Sequence, residues 1–279
     1  MNHICKLHKA LYRLTRSPLW WFSTLVPVMK RLQFQPFDSD VCLFKNTALN
    51  AIIIIYVDDL LISAPTTQII QNIIQNLQKN FQLKVLGQVQ RFLGYTIIHD
   101  RSKRMITISQ VEFTKKIIQK YGYGDLHGVQ SPWPSKFILP HRWDPIVDKK
   151  KWYLKRTGSL NWLASGTRPD ITYTVNRLAK ANNGPSNNHI TLLKHMFRYL
   201  IQTSDFSLSY GGKPSLNTLF CYSDAAHADD LSTRFSTAGT IVFFAGAPVY
   251  WKSKKQTLVA LSSTEAEFMN LTPAGLAVL

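Results

Sequence analysis

The chain is poor in acid, poor in cysteine and without a long apolar run, and each shortage removes a class of protein. Its 279 residues hold 16 Asp+Glu against 33 Lys+Arg, a formal charge of +17. That balance pulls towards polyanions, of which nucleic acid is the commonest. The basic residues are dispersed along the chain, so the positive surface belongs to folded domains and not to a tail. The three cysteines, Cys5, Cys42 and Cys221, are widely spaced and form no CxxC pair. This argues against a disulfide framework or a zinc knot and points to a reducing compartment. No apolar run approaches the roughly 20 residues of a membrane helix. The opening Met1-Asn2-His3-Ile4-Cys5-Lys6 lacks the apolar segment of a signal peptide. A soluble protein with no membrane partner is expected.

What is present is a core. Hydrophobic residues make up 45% of the chain, and its length suits two or three domains. The most informative stretch runs from Ala51 to Ile62. Ala51-Ile52-Ile53-Ile54-Ile55-Tyr56-Val57 is too short for a buried helix and rich in β-branched residues, so it reads as a core strand. Leu60-Leu61-Ile62 reads as the returning strand, which puts Val57-Asp58-Asp59 at a hairpin tip. Two carboxylates beside a buried hairpin are costly unless paired. A divalent metal is one natural partner, since Mg²⁺ prefers carboxylate oxygen. An acidic turn facing water is the other reading, because Asp is a common turn residue.

Tyr56-Val57-Asp58-Asp59 resembles the YxDD box of reverse transcriptases, and its neighbours are similar to one family, the copia-type retrotransposon polymerases. Leu11, Tyr12, Leu14, Pro18 and Trp21 match that family's LYGLKQAPRAWY segment. The family glycine is Arg13 here, and the Lys-Gln pair of the template and nucleotide contact region is Thr15-Arg16. Ser17 and Pro18 read as an N-cap and first helical residue. Trp21, Leu25, Val28 and Leu32 share the buried face of that helix, and Trp20 and Trp21 read as core packing. Pro27 costs such a helix about 3 kcal/mol unless it kinks. Phe37 to Phe44 resembles the strand before the YVDD hairpin, with Asp40 a turn residue. Pro65-Thr66-Thr67 caps a helix with Ile69, Ile70, Ile73, Ile74, Leu77 and Phe81 on one face. Lys84 to Gly94 resembles the primer-grip hairpin, matched at Leu86, Gly87, Phe92, Leu93 and Gly94.

Alternation from Tyr95 to Ile98 and a basic turn at Arg101 to Arg104 follow. Ser109 and Glu112 have the spacing of a capping box before a helix that Gly122 ends. Residues 123 to about 150 are Pro-rich and irregular, including Pro132, Pro134, Pro140 and Pro145. Gly158-Ser159-Leu160 and Thr167-Arg168-Pro169-Asp170-Ile171 match two further family signatures. Helices are expected over Ile171 to Ala181 and about Asn187 to Gln202. On the second, Lys194 and Arg198 form either a phosphate-tracking face or a solvated one. Short strands then run from Thr218 to Ser223, Thr237 to Ala245, Val249 to Trp251 and Thr257 to Leu261. With the helix after Ser262 they resemble the first half of a ribonuclease H fold. Asp224, in a YSDA match, and Glu267 take the places of its first two carboxylates. Ser262 and Glu265 have capping spacing, and His227 reads as a packed or exposed histidine.

The fold expected is α/β (α+β): a partial reverse-transcriptase palm and thumb at 1–122, a linker and helical connection at 123–215, and a truncated ribonuclease H-like domain at 216–279. The resemblance implies an RNA-directed DNA polymerase with attached ribonuclease H, working by two-metal phosphoryl transfer. Asp58, Asp59, Asp224 and Glu267 are the implied catalytic residues and ligands of Mg²⁺, with Mn²⁺ as a substitute. Tyr56, Arg16, Leu86 and Gly87 are the implied contacts to nucleotide and primer-template. The implied partners are an RNA template, a DNA primer, an RNA-DNA hybrid, dNTPs and other parts of the Pol polyprotein. The implied locations are cytoplasmic virus-like particles and the nucleus. In the family a further palm aspartate lies upstream of the aromatic segment, yet only ten residues precede Leu11 and none is acidic. The later ribonuclease H aspartates are likewise missing, and Pro273 is expected to interrupt the helix carrying Glu267. The chain is therefore expected to be truncated at both active sites. The alternative is a catalytically inactive nucleic-acid-binding remnant of such an element.

Overall fold

The computed structural model describes residues 14–135, 137, 145–212 and 218–278. Cys5, Leu11, Tyr12, Arg13 and Pro140 lie outside the described residues. The chain divides into two compact units, one up to Val89 and one from Gln90. It is a mixed α/β chain, with seven α-helices and three antiparallel sheets among the described residues.

The first unit runs α1 (Ser17–Arg31), β1 (Gln35–Pro36), β2 (Leu43–Asn46), β3 (Ala51–Tyr56), β4 (Asp59–Ser63) and α2 (Thr67–Gln78). The strands form a meander in the order β1-β2-β3-β4. Ala51, Ile53 and Ile55 alternate along β3 and are buried, as the pleat requires for one covered face. Leu25, Val28 and Met29 of α1 and Ile73 and Leu77 of α2 join them and Phe44 in one core. Each Val, Leu, Ile, Phe or Met side chain among them contributes about 1.5–3 kcal/mol on burial. Thr66 caps α2, its hydroxyl accepting from the Ile69 N–H at 3.3 Å. Asp40 makes a turn, its carboxylate accepting from the Cys42 N–H at 2.8 Å.

One expectation here is corrected. Ser17 is not the N-cap of α1 but its first helical residue; a turn from the Ser17 N–H to the Leu14 carbonyl moves the cap back to Arg16. α1 continues through Pro27 to Arg31. Pro27 has no N–H for the Ser23 carbonyl, but both residues are exposed, so that carbonyl is open to solvent.

The second unit begins with β5 (Arg91–Phe92), β6 (Tyr95–Asp100), β7 (Met105–Ser109) and α3 (Val111–Lys120). After an irregular stretch come α4 (Lys150–Gly166), a 3-10 turn at Pro169–Ile171, α5 (Thr172–Lys180) and α6 (Asn187–Gln202). Then follow β8 (Ser207–Gly211), β9 (Phe220–Ala226), β10 (Thr237–Phe244), β11 (Ala247–Lys255) and α7 (Ser263–Leu276). One sheet is ordered β5-β6-β7-β8 and the other β11-β10-β9. The helices supply the larger core, built from residues such as Ile117, Leu160, Val175, Leu193 and Phe197.

The Thr167–Ile171 signature has a packing role. Arg168 is 2% exposed. Its guanidinium grips Asp170 through Nε at 2.9 Å and Nη2 at 2.7 Å. It also donates to the Thr203 carbonyl at 2.9 Å and hydroxyl at 2.6 Å. Tyr199 Oη donates to Asp170 Oδ2 at 2.9 Å. One buried cation thus ties the turn after α4 to the end of α6, with four of its five N–H donors bonded and its charge paired as burial demands.

Three further corrections fall in this unit. Ser109 and Glu112 form no capping box: Ser109 closes β7, paired with both β6 and β8, and Glu112 binds Arg91 at 2.7 Å. Arg198 is half-buried and its Nε donates to the His127 carbonyl at 2.8 Å, while Lys194 one turn earlier is exposed. Thr257 to Leu261 is not a strand but an irregular link in which Ala260 packs on Ala225 and Ala266. Pro273 does not interrupt the last helix, since α7 runs through it to Leu276 with Pro273 exposed.

Candidate functional site

β3 and β4 pair in register from Ile52 with Ser63 to Tyr56 with Asp59. That register leaves Val57 and Asp58 as a two-residue turn and puts Asp59 at the first position of β4. The turn needs positive φ, and Val57 supplies it at 54°. Asp58 and Asp59 are exposed, as is Tyr56. Neither carboxylate has a hydrogen-bond or ion-pair partner among the described residues. Their lone pairs face outward and are free.

The turn is held from outside the sheet. Trp21 of α1 donates its indole N–H to the Val57 carbonyl at 2.7 Å. Its ring packs edge-on against Phe81, with centroids 5.3 Å apart. Trp20, by contrast, is 49% exposed. Trp21 is therefore not only a core residue, as its sequence suggested. The signal was available in its chemistry, because a half-buried indole N–H needs an acceptor. Which acceptor it finds, 36 residues away, is a matter of tertiary fold. Arg16 caps the same helix and is exposed.

The expected grip residues lie elsewhere in that unit. Leu86 is 79% exposed and Gly87 adopts φ 79° in an irregular segment. The hairpin itself is shorter than Lys84 to Gly94: it consists of β5 and β6, joined by Leu93 and Gly94 at positive φ.

In the second unit Asp224 sits in mid-β9, opposite Gly239 of β10. α7 covers one face of β9. Ala225 packs on Ala266, and the Asn270 amide donates to Ser223 Oγ, the Asp224 carbonyl and the Gly239 carbonyl at 2.8–3.0 Å. Alternation puts the Asp224 side chain with Tyr222 and Ala226 on the other, exposed face. Glu267 is exposed on α7 beside buried Ala266. Glu265 caps that helix as expected: its backbone donates to Ser262 Oγ at 3.1 Å, and its carboxylate accepts from the Leu261 N–H at 2.6 Å. His227 is exposed.

The donor chemistry of Asp58 and Asp59 suits Mg²⁺, which protein sites usually hold through one or two carboxylates together with substrate phosphate. No three His, Cys, Asp or Glu side chains stand together as a metal-holding group among the described residues. The hairpin tip thus offers two carboxylates and no third donor in a metal-holding group among the described residues.

Comparison with known proteins decides the family. A model of the reverse transcriptase (RNA-dependent DNA polymerase) family matches residues 1–134. The Saccharomyces cerevisiae transposon Ty5-1 protein is 31% identical over 96% of this chain and 87% of its own length. The chain belongs to the copia-type retrotransposon Pol family. The Pol polyprotein of transposon TNT 1-94 from Nicotiana tabacum is 32% identical over 98% of the chain. That of transposon RE1 from Arabidopsis thaliana is 33% identical over 97%. The chain spans about a fifth of the length of these two Pol polyproteins, 21% and 18%. No solved structure matches it. As a copia-type Pol segment, the chain carries its YVDD residues on an open hairpin tip, and the family match covers that hairpin and the Trp21 helix together.

Proposed function

We propose that this chain is the YVDD-bearing part of an RNA-directed DNA polymerase, continued into a ribonuclease H-like segment, that acts on an RNA template, a DNA primer and dNTPs. The observation that carries the reading is the unpaired Asp58–Asp59 couple on a turn pinned by Trp21. Reverse transcriptases generally use divalent metals. A Mg²⁺ ion bound by these carboxylates would supply neutralisation of the charge that develops on the phosphates in nucleotidyl transfer. Asp58 and Asp59 would hold the ion, Trp21 fixes the backbone that presents them, and Tyr56 and Arg16 would serve nucleotide and template. A two-metal site needs a further carboxylate, and none stands with this pair in a metal-holding group among the described residues. Asp224 and Glu267 are assigned to the ribonuclease H-like segment in the same way, as a partial set.

The second reading is a catalytically inactive nucleic-acid-binding remnant, favoured by the +17 charge together with the incomplete ligand set. Primer extension on an RNA template with Mg²⁺, beside Asp58→Asn and with template binding measured in parallel, decides between them. Extension that the variant loses supports the polymerase. Template binding without extension in either protein supports the remnant.

A further inference from the structure

A shallow groove of about 420 Å³ lies on the second unit, lined by His99, Arg101, Arg104, Ile106, Tyr210 and Gly211. None of the residues assigned above lines it. Neither guanidinium has an ion-pair partner among the described residues. The carboxylate on the same turn, Asp100, is already committed. It accepts from Ser102 Oγ at 2.6 Å and the Lys103 N–H at 3.0 Å, and lies 3.5 Å from Lys103 Nζ. The two arginines are thus cations without a counter-charge.

Their base is fixed. Arg104 sits at φ 50°, and its carbonyl accepts from the Gly212 N–H at 3.1 Å. A Cβ on Gly211 would collide with that carbonyl, so only glycine lets β8 pass so close. The Gly211 N–H donates to the Ala245 carbonyl at 2.7 Å, and Tyr210 Oη donates to the Pro248 carbonyl at 2.6 Å. Turn, strand end and aromatic ring are locked together. Strained backbone under an unpaired charged pair is a pattern found at ligand clamps.

We infer that this groove binds the sugar–phosphate backbone of a nucleic-acid strand, with Arg101 and Arg104 on phosphate oxygens and the Tyr210 ring as a wall for a sugar or base. Guanidinium forks match phosphate geometry, and aromatic rings accept any base. A lipid surface fits less well, since membrane docking uses projecting apolar side chains and the groove is concave with Tyr210 half-buried. The inference rests on the nucleic-acid reading above and deepens it, by placing a contact on the unit that does not hold Asp58 and Asp59.

The test is fluorescence anisotropy of the full chain with a labelled single-stranded oligonucleotide over a salt series. Arg101→Gln with Arg104→Gln is expected to weaken binding about five- to tenfold and to lower the salt slope by about 0.7 per arginine. Lys150→Gln with Lys151→Gln, which removes the same charge from the exposed start of α4, is the control and is expected to change affinity less than about twofold. Arg104→Lys, which keeps the charge and loses the fork, should fall between. A thermal melt of each variant checks that it is folded. Equal weakening by the two double variants would mean diffuse attraction and would overturn the site. Anionic vesicles bound as tightly as the oligonucleotide, with the same loss in the arginine variants, would overturn the nucleic-acid assignment. The readout is binding, so it stands apart from primer extension. A chain that extends no primer still reports on the groove, and a polymerase that loses extension in Asp58→Asn yet binds normally without its arginines refutes the groove alone.

Discussion

At the scale of single residues, the turn beside the carboxylates combines strain and restraint. A β-branched residue at positive φ is uncommon, because its Cβ crowds the neighbouring carbonyl at a cost of about 1–2 kcal/mol. Val57 nevertheless sits at φ 54°, with its carbonyl held by Trp21 at 2.7 Å. Two predictions follow from this geometry. Val57→Gly should be more stable than Val57→Ala by about 1 kcal/mol, the reverse of the order in an ordinary strand, as read from urea midpoints. An Ala variant at least as stable as Gly would mean that the turn is not left-handed in solution. Trp21→Phe keeps a ring against Phe81 but removes the indole donor, and should cost about 1 kcal/mol. The loss should be concentrated in the hairpin, with faster amide exchange at Asp58 and Asp59 and little change in the helices of the second unit. Uniform faster exchange across both units would argue against a local restraint.

At the scale of elements, α7 depends on one amide. Asn270 is 2% exposed and serves three acceptors on β9 and β10. Asn270→Ala leaves buried acceptors short of a donor and should cost about 2 kcal/mol, measured by thermal or urea unfolding. α5 is secured differently, by charge. Lys180 Nζ lies 3.7 Å from Asp230 Oδ2, and Arg177 Nη1 lies 3.1 Å from Asp229 Oδ2. Burial, the largest influence on Asp230, pushes its carboxyl pKa up, but the Ser232 hydroxyl and the Lys180 charge outweigh it and hold the group below its ordinary 3.8. A depressed carboxyl pKa adds stability that is present above about pH 4 and lost as pH falls through the folded value. Asp230→Asn should therefore be less stable than the parent at pH 6, with the gap closing as pH falls below the ordinary carboxylate range. A gap that persists at low pH would show that the carboxylate charge is not its source. Elements differ in how well the sequence announces them. The hairpin at Tyr56 to Asp59, the face of α2 and the Gly122 stop were legible because each is fixed by neighbours a few residues away. Ser109 and Glu112 misled because their spacing is a local signal, whereas the Ser109 backbone is claimed by β8, which follows α6. Thr257 to Leu261 misled because a β-branched, apolar link can serve a core as a loop: Ala260 alone is buried there, under α7. The Trp21 bond and the Arg168 clamp join distant segments, so the residue types were visible but not their partners.

At the scale of the whole molecule, the decisive feature is the segment that separates the two compact units. Each unit has its own core, one around Ile53, Leu25 and Leu77 and the other around Leu160, Leu193 and Phe197. Between α2 and β5 the chain forms no regular structure from Gln82 to Gln90, and Lys84 and Leu86 within it are exposed. Proteases cut where the backbone can leave its contacts at little cost, and exposed irregular segments meet that condition better than strands or helices. Trypsin should thus cut after Lys84 before it cuts the basic residues inside α1, α4 or α6, releasing two fragments that persist. Lys84→Gln should slow the first cut, as read by gel and mass. Because the two cores are separate, urea unfolding should also depart from a single transition, with tryptophan signals from Trp21 and Trp251 falling at different midpoints in variants that keep one tryptophan at a time. Coincident midpoints together with a first cut elsewhere would mean that the cores unfold as one, and the division at Val89 would then have no thermodynamic meaning. If the midpoints do separate, the carboxylate hairpin and the arginine groove can be altered independently, since substitutions in different units with no shared partner add.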